Sequence, residues 1–101
     1  MNKYDISCIG IPKTVDNDLP FIDNCPGFGS VAKYVSTSIL EAGIDVASMS
    51  ETSTKVFVME VMGRHAGWIA ASAALAARDR NLPPHIILFP EIEFNKKRFL
   101  K

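Results

Sequence analysis

Three short apolar runs, separated by stretches of helical spacing, constrain this chain more than any other feature. Ile6-Ser7-Cys8-Ile9-Gly10-Ile11 stops at Pro12, the run within Lys55 to Met62 stops at Gly63, and His85-Ile86-Ile87-Leu88-Phe89 stops at Pro90. Runs this apolar read as strands buried on both faces, and a proline ends such a strand because it removes a backbone donor. Between the first two, Phe28, Val31, Val35, Ile39, Ala42, Val46 and Met49 step by three or four, which marks one face of a long helix weakened late by Gly43. Gly63 to Gly67 then turns the chain into a second helix, Trp68 to Asp79, whose alanines permit close packing and which Asn81-Leu82-Pro83-Pro84 terminates. Asn95 reads as the N-cap of a further helix that continues to the end of the sequence. Strands alternating with helices in this way require right-handed crossovers, so the expected class is α/β, Rossmann-like, with a mostly parallel sheet and helices on both faces.

At 101 residues the chain can bury one modest core. Lys and Arg number 11 and Asp and Glu number 11, a formal net charge of +0, so no overall field draws it to nucleic acid or an anionic membrane. Any anion site must be local. The apolar runs are too short to span a bilayer, and Met1 to Asp5 lacks the apolar core of a secretion signal, so a cytoplasmic location is expected. Cys8 and Cys25 share no metal-ligand spacing with His65 or His85 and are expected as two reduced thiols.

Pro12 to Gly27 is where chemistry is expected. It holds three prolines and five Asp or Asn residues, it is long for a passive connection, and it follows the first strand. In an open parallel sheet ligands bind beyond the carboxyl ends of the strands. Three segments reach that edge: Lys13 to Asp18, Gly63-Arg64-His65, and Pro90-Glu91-Ile92-Glu93. Carboxylates meeting an arginine suit phosphoryl transfer, which needs a proton acceptor, a metal partner and a cation for developing charge. Asp16 and Asp18 stand two apart, a spacing that points both the same way in an extended loop, so one can take a proton while the other supports Mg²⁺ through water. Lys13 adds a charge for a phosphate and Thr14 a neutral donor. The same Asp-Asn-Asp sequence also serves ordinary turns, and Arg64, Glu91 and Glu93 also suit solvated positions. Residue chemistry alone leaves both readings open. Gly27-Phe28-Gly29 lacks the third glycine of a phosphate fingerprint and reads better as a helix start.

Gly10-Ile11-Pro12-Lys13-Thr14-Val15-Asp16-Asn17-Asp18 resembles the phosphofructokinase signature, Glu60-Val61-Met62-Gly63-Arg64 resembles that family's second active-site motif, and Pro90-Glu91-Ile92-Glu93-Phe94 resembles a third segment. The resemblance covers nearly the whole chain in the family's order. It implies part of a larger two-domain phosphofructokinase fold, with residues 1–101 an internal fragment of the catalytic domain. It further implies phosphoryl transfer to the C1 hydroxyl of fructose 6-phosphate with Mg²⁺, giving fructose 1,6-bisphosphate as in glycolysis. Asp16 would be the base, Thr14 and Lys13 would lie beside the transferred group, and Asp18 would support the metal indirectly. Arg64 would stabilise the transition state, and Met62 and Gly63 would line the sugar phosphate pocket.

Two expectations follow from the resemblance. Lys55 matches a basic position that binds the sugar's 6-phosphate in the neighbouring subunit. Seven steps at about 3.3 Å place it roughly 23 Å from Met62 along a strand, so one chain cannot use both ends at one site. A homodimer or homotetramer with a shared active site is therefore expected. Lys13, where many ATP-dependent relatives carry glycine, favours pyrophosphate over ATP as donor. The family's glycine-rich donor loop is absent from this sequence, so the isolated fragment is expected to be inactive. The alternative is a non-catalytic binding or assembly piece that kept the motifs.

Overall fold

The computed structural model describes residues 4–79 and 81–101. Met1 to Lys3, read above for a leader, lie outside the described residues. Helix α1 runs Phe28–Met49 over the stretch that the apolar periodicity marked. Gly27 precedes it with φ 92° and offers no side-chain cap, so the first turn is closed by the Val31 N–H donating to the Gly27 carbonyl at 3.1 Å. At the other end the polar break Ser50 to Thr54 satisfies the carbonyls that every helix terminus leaves over. The hydroxyls of Ser50 and Thr52 donate to Ala47 and Met49 at 3.0 and 3.1 Å, and Lys55 Nζ donates to the Ser50 carbonyl.

The second helix is shorter than its sequence predicts. Helix α2 covers Trp68–Ser72 and tightens into a 3-10 turn, Ala73–Ala76, after which Ala77 leaves helical geometry at ψ 75°. The expected last turn to Asp79 does not form. Its alanines offer little surface to bury, and the Asp79 carboxylate accepts the Asn81 N–H at 3.1 Å, a local turn that competes with the helix. Helix α3, Lys96–Phe99, is capped by Asn95, whose Oδ1 accepts the Arg98 N–H at 3.0 Å, and it stops at Leu100 instead of continuing.

The core lies between α1 and the α2 segment. Val35 and Ile39 of α1 close on Ile69, Ala73 and Ala76, with Ile69 only 1% exposed. Val15, Met59, Val61 and Ile87 pack on its edge, half-buried.

Among the described residues no strand ladder forms, although three strands buried on both faces are expected at Ile6–Ile11, Lys55–Met62 and His85–Phe89. Exposure along the second segment nevertheless alternates. Met59 and Val61 turn to the core, while Val56, Val58 and Met62 face out, with Val58 82% exposed. Ile87 turns in while Ile86 and Leu88 face out. That period of two is the signature of strand backbone. Burial on both faces needs a layer on each side of the strands, and these residues supply only the α1 and α2 layer. The first segment has neither, and Ile9 is 92% exposed. The radius of gyration is 19.0 Å, well above the roughly 13 Å of a compact domain of this size. No described helix is long and apolar enough to cross a membrane. Cys8 and Cys25 are both free thiols, the first exposed and the second buried.

Candidate active site

The loop after the first segment is a built turn. Thr14 starts it: its carbonyl accepts the Asn17 N–H at 3.4 Å and its hydroxyl oxygen accepts the Asp16 N–H at 3.3 Å. Asn17 adopts φ 58°, the left-handed region that asparagine tolerates better than most residues. Its side chain turns inward, 7% exposed, accepting the Cys25 N–H on Oδ1 at 2.7 Å and donating from Nδ2 to the Asp23 carbonyl at 3.3 Å.

This reversal separates the two aspartates. Asp16 lines a cleft of about 680 Å³ together with Glu60, Val61, Met62, Gly63, Arg64 and His65. Asp18 lines a different one, of about 370 Å³, with Asn17, Leu19, Pro20, Ile22, Asp23 and Trp68. The expectation that the two carboxylates point the same way is therefore corrected. It assumed an extended loop, and the turn with its left-handed residue 17 is not extended.

The second wall of the larger cleft comes from Met62 to His65. Gly63 has φ 113°, and a Cβ there would collide with the Ala66 carbonyl, so the turn that presents Arg64 admits only glycine without strain. Four of the expected site residues, Asp16, Met62, Gly63 and Arg64, thus share one concavity. Lys13, exposed, and Thr14, engaged in the turn, line neither cleft, and nor does Lys55, whose ammonium caps the end of α1. Glu60 and His65, to which the sequence assigns no role, also enter the lining. Glu60 was legible from strand register, since it shares a side with Met62.

One atom of Asp16 stands apart. Asp16 Oδ1 is buried and has no hydrogen-bond partner. A buried carboxylate oxygen without a partner is costly and rare in folded proteins. Arg64, exposed, lines the same cleft. An acceptor and a cation in one cleft are an arrangement suited to removing a proton and steadying an anion.

Residues 1–101 match the family model described as Phosphofructokinase. The chain is 66% identical over 93 residues to a pyrophosphate–fructose 6-phosphate 1-phosphotransferase of Halomonas elongata, an alignment covering 92% of this chain and 22% of that protein. At lower identity, 41% over 90 residues, it is similar to an ATP-dependent 6-phosphofructokinase of Amycolatopsis methanolica, over 89% of this chain and 18% of that one. The structure superposes on the crystal structure of a pyrophosphate-dependent phosphofructokinase from Marinobacter aquaeolei with a TM-score of 0.88 at 70% identity, covering 96% of this chain and 25% of that chain. It therefore spans about a fifth to a quarter of the length of these relatives. Matched along its whole length by the family model, and carrying the Asp16 turn opposite the Gly63-Arg64 turn, the chain belongs to the phosphofructokinase family.

Proposed function

We propose that this chain carries part of the active site of an enzyme that phosphorylates fructose 6-phosphate on its C1 hydroxyl, with pyrophosphate as donor. The observation that supports it best is that Asp16, whose Oδ1 is buried and unpartnered, lines one cleft with Arg64. A substrate hydroxyl bound in that cleft would meet the Asp16 carboxylate, whose Oδ1 has no hydrogen-bond partner in the free chain. Asp16 then takes the hydroxyl proton, and the freed oxygen attacks the terminal phosphorus of the donor. The bond from that phosphorus to the bridging oxygen breaks, and phosphate leaves with the electron pair. Arg64 meets the charge that develops on the transferred group, and Met62 and Gly63 hold the sugar phosphate. Lys13 and Thr14, at the start of the same turn, attend the donor phosphates.

Mg²⁺ fits this donor set in a limited way. Among the described residues no three His, Cys, Asp or Glu side chains gather into a metal cluster. Mg²⁺ is commonly held by one or two carboxylates, water and substrate phosphates; in the larger cleft Asp16 and Glu60 would be its carboxylate neighbours, and Asp18, which lines the other cleft, could support it only indirectly. Bound there, it would neutralise charge on the donor phosphates.

Two further parts of the reading rest on the rest of the protein. The outward apolar rows, Val56, Val58, Ile86 and Leu88, support a mostly parallel sheet completed by strands and covering helices from outside these residues. Lys55, at the far end of its segment from Met62, supports a site shared between subunits of a homodimer or homotetramer. The pyrophosphate relatives at higher identity favour that donor over ATP.

The test is turnover of fructose 6-phosphate by the complete enzyme with pyrophosphate and with ATP. Pyrophosphate should be the better donor by kcat/KM. Equal or better use of ATP would reverse the donor assignment, and no turnover with either would favour the non-catalytic assembly piece.

A further inference from the structure

The residue between the two aspartates does more than complete a turn. Asn17 is held by two side-chain hydrogen bonds, to the Cys25 N–H at 2.7 Å and the Asp23 carbonyl at 3.3 Å, and Cys25 is fully buried. The Cys25 carbonyl in turn accepts the Phe28 N–H, the first residue of α1, at 3.1 Å. A continuous line of hydrogen bonds thus runs from a 22-residue helix through Cys25 to Asn17, whose neighbour in the chain is Asp16. The left-handed backbone at residue 17 is the point where the chain reverses, so that residue 16 enters the larger cleft and residue 18 the smaller. An Asp16 oxygen that is buried with no partner of its own has no hydrogen bond to fix it in place. Its position is set by the backbone on which it sits.

We infer that Asn17 is a positioning residue that fixes the Asp16 carboxylate by anchoring the reversed turn to the start of α1. The inference rests on the reading of Asp16 as the base. Asn17 itself makes no contact with substrate. A turn released from Cys25 would let the carboxylate rotate toward solvent, and misplacement by about 1 Å is enough to cost on the order of 100-fold in rate.

The experiment is a double-mutant cycle in the complete enzyme, with kcat and KM for fructose 6-phosphate measured beside thermal unfolding. Asn17→Gly keeps access to the left-handed region but removes both hydrogen bonds. It should lower kcat by about 10- to 100-fold while KM changes by less than about 3-fold. Asn17→Asp retains the acceptor for the Cys25 N–H and should recover most of that loss. On the Asp16→Asn background, Asn17→Gly should cost nothing further, because the group it positions is gone. An equal fractional loss on both backgrounds would mean that Asn17 supports only the fold, and would overturn the inference, as would wild-type kcat in Asn17→Gly. Full turnover by Asp16→Asn alone would instead remove the base assignment, and this inference with it. Should Asn17→Gly fail to fold, Asn17→Asp carries the same cycle, its smaller loss being abolished by Asp16→Asn if the inference holds.

Discussion

Gly67 donates its backbone N–H to Glu91 Oε1 at 2.7 Å, tying the start of α2 to the segment that follows Phe89. The approach is close enough that a Cβ on residue 67 would lie 2.6 Å from Phe89 Cδ1 and 2.8 Å from Glu91 Oε2. Glu91, which by its chemistry suited either solvent or a ligand, thus holds the helix that follows the Arg64 turn. Its carboxylate also complements the positive end of that helix.

Gly67→Ala should accordingly destabilise the protein by about 1–3 kcal/mol through overpacking. Glu91→Gln, which retains an acceptor, should cost about 1 kcal/mol or less. Urea unfolding of the complete enzyme checks both, and a smaller loss in Gly67→Ala than in Glu91→Gln would contradict the packing account.

Gly43 offers a case where helix propensity and packing disagree in sign. Glycine to alanine in an exposed helix interior gains about 1 kcal/mol, but here a Cβ would sit 2.7 Å from Pro83 Cβ and nearer still to its ring. Proline carbons bound to a ring cannot swing aside as the end of a long side chain can. Gly43→Ala should therefore lower the unfolding midpoint, with a loss of about 1–3 kcal/mol. A raised midpoint would show that the Pro83 segment shifts freely.

Asp16 should separate stability from activity. Because its Oδ1 is buried without a partner, Asp16→Asn removes a poorly accommodated carboxylate and should leave the melting temperature unchanged or raised. Turnover should fall by about 10²- to 10⁴-fold while fructose 6-phosphate still binds. A lower melting temperature together with retained turnover would defeat both halves of the expectation.

Lys55 has two duties in this reading. Its ammonium donates to the Ser50 carbonyl beyond α1, an exposed contact whose loss should be nearly silent in unfolding experiments, at about 0.5 kcal/mol. If the site is shared between subunits as proposed, Lys55→Ala should nevertheless weaken fructose 6-phosphate binding by the complete enzyme, through the proposed contact with the 6-phosphate. Measured by calorimetry, unchanged affinity in the assembled enzyme would exclude that contact.

The sequence carried α1 to the residue, because seven apolar positions at helical steps outvote a single glycine. The Asn95 cap was equally plain, being a side-chain effect read over three residues. The end of α2 was less legible, since a run of alanines favours a helix by propensity but holds it weakly by packing. Sheet formation is not a local property at all: residues 55–62 and 85–89 show strand alternation, yet no ladder forms among the described residues. Within the site, motif order placed Asp16 with Gly63 and Arg64 correctly in one cleft. The separation of Asp18 from Asp16 was not legible because it accompanies a left-handed turn at Asn17, whose side chain bonds to Cys25 eight residues away.

The one-sided burial of the strand-like segments also bears on how such a protein must be made. A nascent chain that has formed α1 and α2 still displays Val56, Val58, Ile86 and Leu88 outward, with no backbone ladder to occupy the intervening edges. Left uncovered, that side is adhesive toward any other unfinished copy. Crowded ribosomes and high expression would then each favour insoluble product. Release from that hazard comes only when those outward rows are covered.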